Sequence, residues 1–291
     1  MYRPKLILLV GIPGSGKTTY GRSYTTEHTY TIHLSSDAIR AELYGDESIQ
    51  GNPAEVFALM QKGAINALND GYDVVYDATN IIRKDRANII TTCPKFAKIE
   101  AHVVWAPIET CIARDTARER TVSKEVIDRM LKRFQAPYYD EGIDEIKVIL
   151  PDYFDNKGYT SNCLEAMKIP HDNPHHILNI HDHCYNASKY FDTEKIDEFE
   201  LALAALLHDV GKPYVKSFID IKGNSCEYAH YYQHQCVGAW MSYGITNVTP
   251  FIAWLISEHM NPFLNTKYYN NLPLFLKNKI DMLHEADLNS H

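Results

Sequence analysis

The stretch "LILLVGIPGSGKTTY", residues 6–20, constrains this chain more than any other, because an apolar β-type run passes through a glycine-rich turn into a helix start. Its "GIPGSGKT" fits the phosphate-loop pattern GxxxxGK[ST] with Gly11, Gly16, Lys17 and Thr18. Glycines at such a turn let backbone N–H groups face an anion at a helix N-terminus. Lys17 then offers a point charge to the β- and γ-phosphate oxygens, and Thr18 a hydroxyl to Mg²⁺. Gly14, Ser15 and Thr19 complete the expected cradle. The cofactor expected there is ATP or another NTP with Mg²⁺.

The surrounding pattern supplies the fold that such a loop requires. Short β-rich runs ("LILLV", "YTIHL", "YDVVY", "AHVVW", "IKVIL") alternate with helical stretches from Lys5 to about Leu150. Strand, helix, strand repetition predicts a parallel sheet covered by helices. One helix carries its own punctuation in "NPAEVFALMQKGAINALNDG", with Asn52 as cap, Pro53 in the first turn and Gly71 after the end. From about Tyr153 to Pro174 the alternation lapses. Beyond it, "HCYNASKYF", "FELALAALL", "HQCVGAWMSYG", "PFIAWLISEHM" and "PLFLKNKIDMLHEADL" read as helices without strands between them. A length of 291 residues suits two domains. The expected division is an α/β domain over 1–155, a linker over 156–174 and an all-α domain over 175–291.

The two halves also differ chemically. All ten arginines lie at or before Arg133, whereas eleven of the fourteen histidines lie at or after His171, which suggests phosphate handling first and metal or proton chemistry second. A net charge of −8 leaves no general basic surface, so a nucleic-acid substrate would be gripped locally. The six cysteines show no CxxC pair, which fits reduced thiols better than a disulfide framework or zinc ribbon. The longest strongly apolar runs, Leu6 to Val10 and Leu201 to Leu207, fall far short of the roughly 20 residues a membrane span needs. The N-terminus lacks signal-peptide layout, so no membrane association and a cytoplasmic location are expected. The sequence is silent on oligomeric state.

A phosphotransferase needs a carboxylate to orient and deprotonate its acceptor, placed at the C-terminal edge of the sheet. In "HLSSDAIRAELYGD", Asp37 follows the second strand and Arg40 lies three residues on, on the same helical face, so a base and a phosphate clamp can converge; the plain alternative is that Ser36 or Asp37 only caps a helix. Asp77, in "VVYDATN", ends the third strand and is placed to hold Mg²⁺ through water or to orient Arg40. "CIARDTARERTVSKEVIDRMLKRFQAP" puts Arg114 and Arg118 one turn apart with Arg120 close by, a suitable lid for neutralising a transferring phosphoryl group. Together the phosphate loop, "SSDAIR", "DATN" and the arginine segment resemble the P-loop phosphotransferases of the polynucleotide 5′-kinase group. That resemblance implies Asp37 as general base and Arg40 as a contact to substrate phosphate.

The second half turns on "LALAALLHDVGKP", residues 201–213. Of three His-Asp pairs, only His208-Asp209 ends a buried-type helix, with Lys212 beside it; His171-Asp172 and His181-Asp182 lie in turn-like or poorly apolar surroundings. One or two oxygen- and nitrogen-preferring ions need ligands from separate segments, and imidazole with carboxylate suits Mn, Ni, Co, Fe or Zn. The helices offer His183, His208, Asp209, His234, His259 and Asp287, with Asp209 able to bridge two ions and Lys212 to polarise a phosphate oxygen. This order of residues resembles the HD superfamily of metal-dependent phosphohydrolases over about residues 165–291, which implies these six as ligands. His181 could stand in for His183, and His230 for His234.

The two resemblances together look like an end-healing enzyme for broken RNA or DNA. The expected reactions are phosphorylation of a 5′-OH end and metal-dependent removal of a 2′,3′-cyclic, 2′- or 3′-phosphate, both upstream of a separate ligase. The alternatives are a small-molecule or nucleotide kinase fused to a nucleotidase, and a nucleotide-binding switch with a structural HD domain.

Overall fold

A computed structural model describes residues 2–118, 121–174 and 177–290, with backbone alone at 196 and 197. The chain divides into two compact units, Met1–Met130 with Pro137–Asp152, and Leu131–Ala136 with Tyr153–His291.

In the first unit β1 (Lys5–Val10), β2 (Thr31–Ser35), β3 (Asp73–Asp77), β4 (Lys98–Val104) and β5 (Glu145–Ile149) form one parallel sheet in the order β2-β3-β1-β4-β5. The helices between them are α1 (Lys17–Glu27), α2 (Ser36–Tyr44), α3 (Pro53–Asn69), α4 (Arg83–Ile90), α5 (Ile108–Thr116) and α6 (Lys124–Leu131). Leu6 to Val10 are fully buried, as expected of a central strand covered on both faces. On one face Ile7, Leu9, Val75 and Val104 cluster beneath Tyr20 and Tyr24 of α1. The strand order reverses direction at β1, so the turn that follows it opens at the C-terminal edge, the usual ligand position in such sheets. Helix α3 follows its predicted punctuation: the Asn52 side chain accepts from the Ala54 N–H at 3.1 Å, Pro53 is its first residue, and Gly71 lies just beyond at φ 87°.

The second unit contains α7 (Asn156–Ala166), α8 (Ile180–Ser188), α9 (Ile196–Leu207), α10 (Lys212–Val215), α11 (His234–Ser242), α12 (Pro250–Glu258), α13 (Asn261–Leu264), α14 (Thr266–Asn271) and α15 (Leu274–Leu288). Helix α9 packs against α8, α12 and α15, and α11 against α10 and α12. The unit also carries an antiparallel ribbon, β6 (Ser217–Ile219) with β7 (Ser225–His230), where helices alone were expected. The ribbon is short and largely exposed, so it leaves only a weak alternation to read. Helix α7 occupies much of the stretch expected to be linker.

Leu131–Ala136, read from sequence with the first domain, belongs to the second unit. The fully buried Phe134 meets Trp240 edge-on at 5.3 Å and Tyr243 at 6.2 Å, and the Ala136 N–H donates to Ser257 Oγ at 3.4 Å. Phe134→Ala should therefore lower the unfolding free energy of the second unit by about 3–5 kcal/mol, read by chemical denaturation.

Candidate functional sites

The turn between β1 and α1 is built by glycine. Gly14 and Gly16 lie at φ 78° and 105°, and a Cβ on Gly14 would sit 2.2 Å from the Cys111 carbonyl oxygen. Side chains are thus excluded, leaving backbone amides to line the cradle. Lys17 Nζ donates to the Ile12 carbonyl at 3.0 Å, and burial lowers its affinity for a proton while the nearby Asp77 charge opposes that shift. Ser15 Oγ is buried without a hydrogen-bond partner among the described residues. An orphaned hydroxyl beside a partly buried ammonium, in a turn whose glycines admit no side chain, fits a bound polyphosphate. Thr18 follows Lys17 in the first turn of α1, and Thr19 is exposed.

Asp37 and Arg40 meet on α2, Nη1 to Oδ1, at 2.7 Å. The helix cap is Ser35, whose Oγ accepts from the Ala38 N–H at 3.5 Å; Asp37 is therefore not the capping side chain, and its carboxylate is half-exposed. Arg40 Nε is buried and has no partner among the described residues, a donor held ready beside the acid. Asp77 is buried and pairs with His33 Nε2 at 3.1 Å; its charge acts on Lys17. His33 lies on β2 two residues before Ser35, the register partner of Asp77. That neighbourhood comes from strand pairing and has no local sequence signal.

Arg114 on α5 places Nη1 3.4 Å from the carbonyl oxygens of both Gly14 and Ser15, against the phosphate loop. The charge of the exposed Arg118 reaches Lys17, and Arg120 lies outside the described residues. Two further residues hold the loop. Asn80, buried at φ 46°, donates through Nδ2 to the Leu9 carbonyl at 2.8 Å, while the Gly11 N–H donates to the Thr79 carbonyl at 3.0 Å. Fully buried Arg86 donates to the Asn80 carbonyl at 2.8 Å and grips Glu141 with two bonds of 2.7 and 2.6 Å. Beside this brace lies a cavity of about 230 Å³ lined by Phe57, Gln61, Tyr76, Asn80, Asp85 and Asn88 among others, with no lysine or arginine in its wall.

In the second unit the residues named from sequence converge. His183, His208 and Asp209 present ligand atoms within 4.8 Å of one another, and so do Asp209, His234 and His259. Asp209 belongs to both groups. Its Oδ1 lies 3.2 Å from His234 Nε2, and its Oδ2 lies 3.3 Å from His208 Nε2 and 2.6 Å from Lys212 Nζ. Asp287 Oδ1 is 2.8 Å from His183 Nε2 and 3.4 Å from His208 Nε2. The chain end is anchored for this purpose: Ser290, buried, donates to the Asp287 carbonyl at 2.7 Å and contacts His183 Nδ1 at 2.8 Å.

Three of these histidines use the same device. Nδ1 of His208, His234 and His259 faces the carbonyl three residues earlier, those of Ala205, Tyr231 and Ile256, at 2.8 to 3.0 Å. A carbonyl only accepts, so each Nδ1 carries a proton, and on a neutral ring Nε2 presents its lone pair inward. His234 Nε2 and His259 Nε2 then stand 3.2 Å apart. Two lone pairs at that distance require a proton or a cation between them. Ligand atoms about 2.1 Å from an ion lie about 3.0 Å apart at a right angle and about 3.4 Å apart at the tetrahedral angle, so the cluster has the dimensions of a metal centre.

Electrostatics divide that donor set. Burial would push Asp209 up, but His208 and Lys212 hold it well below the carboxylate range. Burial would likewise lower His208, yet Asp209 is the chief charge holding it well above the ordinary imidazole value. Burial, aided by His234 and His208, pushes His259 down to about 3, which keeps it neutral. Gly211 lets the centre close, because a Cβ there would lie 2.2 Å from the His234 carbonyl oxygen. His181 is not in the cluster: it pairs with Asp182 at 3.0 Å and stacks on Tyr185. His230 stacks on Tyr232 instead.

Two family models match the chain, the AAA domain over residues 6–137 and the HD domain over residues 176–287. No curated protein matches. Among solved structures, the Pnkp1/Rnl/Hen1 RNA repair complex is similar at 23% identity, over 46% of this chain and 44% of that one, with a TM-score of 0.43. A fungal RNA kinase is similar at 16% identity over 56% and 42%, with a TM-score of 0.40. A gluconokinase from Sinorhizobium meliloti 1021 is similar at 16% identity over 51% and 84%, with a TM-score of 0.37. The chain spans less than half the length of the first two.

The Arg86–Glu141 pair is testable apart from any activity. Arg86→Ala removes the two short bonds to the buried Glu141 carboxylate, leaving it Arg83 Nε at 3.7 Å and the Tyr138 N–H at 3.2 Å, and removes the support under Asn80. A loss of about 3–5 kcal/mol in unfolding free energy is expected by denaturant titration.

Proposed function

We propose that this chain, a P-loop domain of AAA type followed by an HD domain, heals broken nucleic-acid ends, chiefly those of RNA. The observation that carries the reading is that a glycine-built turn and a histidine cluster centred on one carboxylate, two chemically different sites, each lie within their own compact unit.

In the first unit the γ-phosphoryl group of ATP or another NTP passes to a 5′-hydroxyl. Gly11, Gly14, Ser15, Gly16, Lys17 and Thr19 cradle the phosphates, and Thr18 offers its hydroxyl to Mg²⁺. Asp37 takes the proton of the acceptor hydroxyl while Arg40 aligns the acceptor phosphate, and Arg114, Arg118 and Arg120 neutralise the group in transfer. The cavity beside Asn80 supports a nucleoside acceptor over a phosphorylated or carboxylated metabolite. Its wall offers two aromatic rings, amides and one carboxylate but no cation to balance a charged substrate.

In the second unit His183, His208, Asp209, His234, His259 and Asp287 hold one or two divalent ions of the Mn, Fe, Co, Ni or Zn group. Such ions, when bound, supply Lewis-acid activation of water and phosphate. The protein orients the imidazoles through their Nδ1 protons and places Lys212 against the bridging carboxylate, within reach of a phosphate oxygen. The group removed is a 2′,3′-cyclic, 2′- or 3′-phosphate. A 5′-phosphate and a free 3′ end are what a separate ligase would join.

An oligonucleotide bearing a 5′-OH and a 2′,3′-cyclic phosphate, incubated with γ-labelled ATP, tests both halves. Asp37→Ala should reduce 5′ labelling at least about 100-fold and spare removal of the terminal phosphate. Asp209→Ala should do the reverse. Labelling of small metabolites with none on the oligonucleotide would overturn the reading.

A further inference from the structure

His171 lies before the HD match begins at residue 176 and sits in a stretch that sequence patterning reads as a turn. Folded, it is 1% exposed and joins the histidine cluster. Its ring lies 5.5 Å from that of His183, which lies 5.4 Å from His208, which lies 5.4 Å from His259, which lies 5.2 Å from His234. Five imidazoles thus form one continuous chain with uniform spacing, and His171 is its first member.

The ring is oriented as the others are. Its Nδ1 faces the Leu178 carbonyl at 2.9 Å, so the proton sits on Nδ1 and Nε2 presents its lone pair. That Nε2 lies 4.0 Å from Asp209 Oδ2, the same oxygen that faces His208. Two atoms bound to one ion at about 2.1 Å are about 4.2 Å apart when nearly opposite, so this separation matches two ligands across an ion.

The segment is also held with unusual redundancy. Tyr231 Oη donates to the His171 carbonyl, the Ala229 N–H donates to the Asp172 carbonyl at 2.9 Å, and Lys216 pairs with Asp172 at 2.7 Å while donating to the Pro170 carbonyl at 2.6 Å. Asp172 is at φ 48°, a left-handed conformation that aspartate tolerates better than most residues. Ala229 lies on β7 and Tyr231 follows directly after it, so the ribbon β6–β7 clamps this loop.

We propose that His171 is a further protein ligand of the centre, binding through Nε2 the ion shared by His183, His208, Asp209 and Asp287. The inference rests on the metal-centre reading above and extends it to a residue outside the matched HD segment. The clamp by the ribbon then has a purpose: it fixes a ligand that no helix carries.

Metal-free protein titrated with Co²⁺, followed by calorimetry and visible absorption, tests it without any substrate. His171→Ala should weaken one binding event roughly 10- to 100-fold and shift the Co²⁺ absorption band. Millimolar imidazole should restore both in His171→Gly. His181→Ala, which lies outside the cluster and pairs with Asp182, is the control and should leave isotherm and spectrum unchanged. His171→Asn, which keeps a donor towards Leu178, should show the same weakening as His171→Ala if the folded far-ultraviolet signal is lost in the latter. Isotherms and spectra of the His171 variants superimposable on the wild type would overturn the proposal alone. Wild-type protein that binds no Co²⁺, Mn²⁺, Ni²⁺ or Zn²⁺ would instead refute the metal centre, and this ligand with it.

Discussion

One buried carboxylate, that of Asp209, sets the terms for the whole second unit. An ionised group with 1% exposure costs several kcal/mol to desolvate unless it is fully compensated. His208, His234, His171 and Lys212 surround it at 2.6 to 4.0 Å, and they come from four different stretches of chain. Helices α9, α10 and α11 and the loop before α8 must therefore reach one register together. Gly211 permits that closeness, and the Nδ1–carbonyl bonds at helix ends fix which ring nitrogen looks inward. At His208 and His259 those same bonds also satisfy carbonyls in the last turns of α9 and α12, so capping and ring orientation are one interaction there.

The first unit solves the opposite problem. Its glycine-built turn suits an anion, which backbone amides freed by left-handed glycines would compensate. The loop is kept open from below: Thr79 and Asn80 bond to Gly11 and Leu9, and Arg86 carries Asn80 on its third donor while gripping Glu141 with the others. A strained asparagine persists there because a buried arginine over-determines it. One half of the molecule thus presents fixed dipoles to a negative charge. The other presents lone pairs to a positive one.

Much of this was legible in the chain. The phosphate loop declares itself because its chemistry is contiguous, and the strands of the first unit follow the β-rich runs because each is a local pattern of burial. The six residues selected in the second half converge because apolar helix periodicity marks where a polar residue sits on a rigid element. Where local reading fell short, the cause was long-range. Ser35 takes the cap and Asp37 does not, which depends on where β2 ends. His33 meets Asp77 through strand register, and Phe134 leaves the first unit to fill the aromatic core of the second. Arg86 looks like any surface arginine of a short helix until Glu141, fifty-five residues on, is brought beside it.

The sequence by itself determined the two classes of chemistry, since a glycine-rich loop and a histidine-aspartate pair impose their requirements within a few residues. Only the tertiary structure decided which histidines stand together. On paper His181 could stand in for His183 and His171 lies in a turn-like stretch, yet His181 pairs with the exposed Asp182 on α8 while His171 is clamped against Asp209. The difference is made by the ribbon β6–β7 and by Leu178, partners that no spacing rule connects to residue 171. A ligand's identity is written locally, but the direction of its lone pair is set by whatever accepts its other proton.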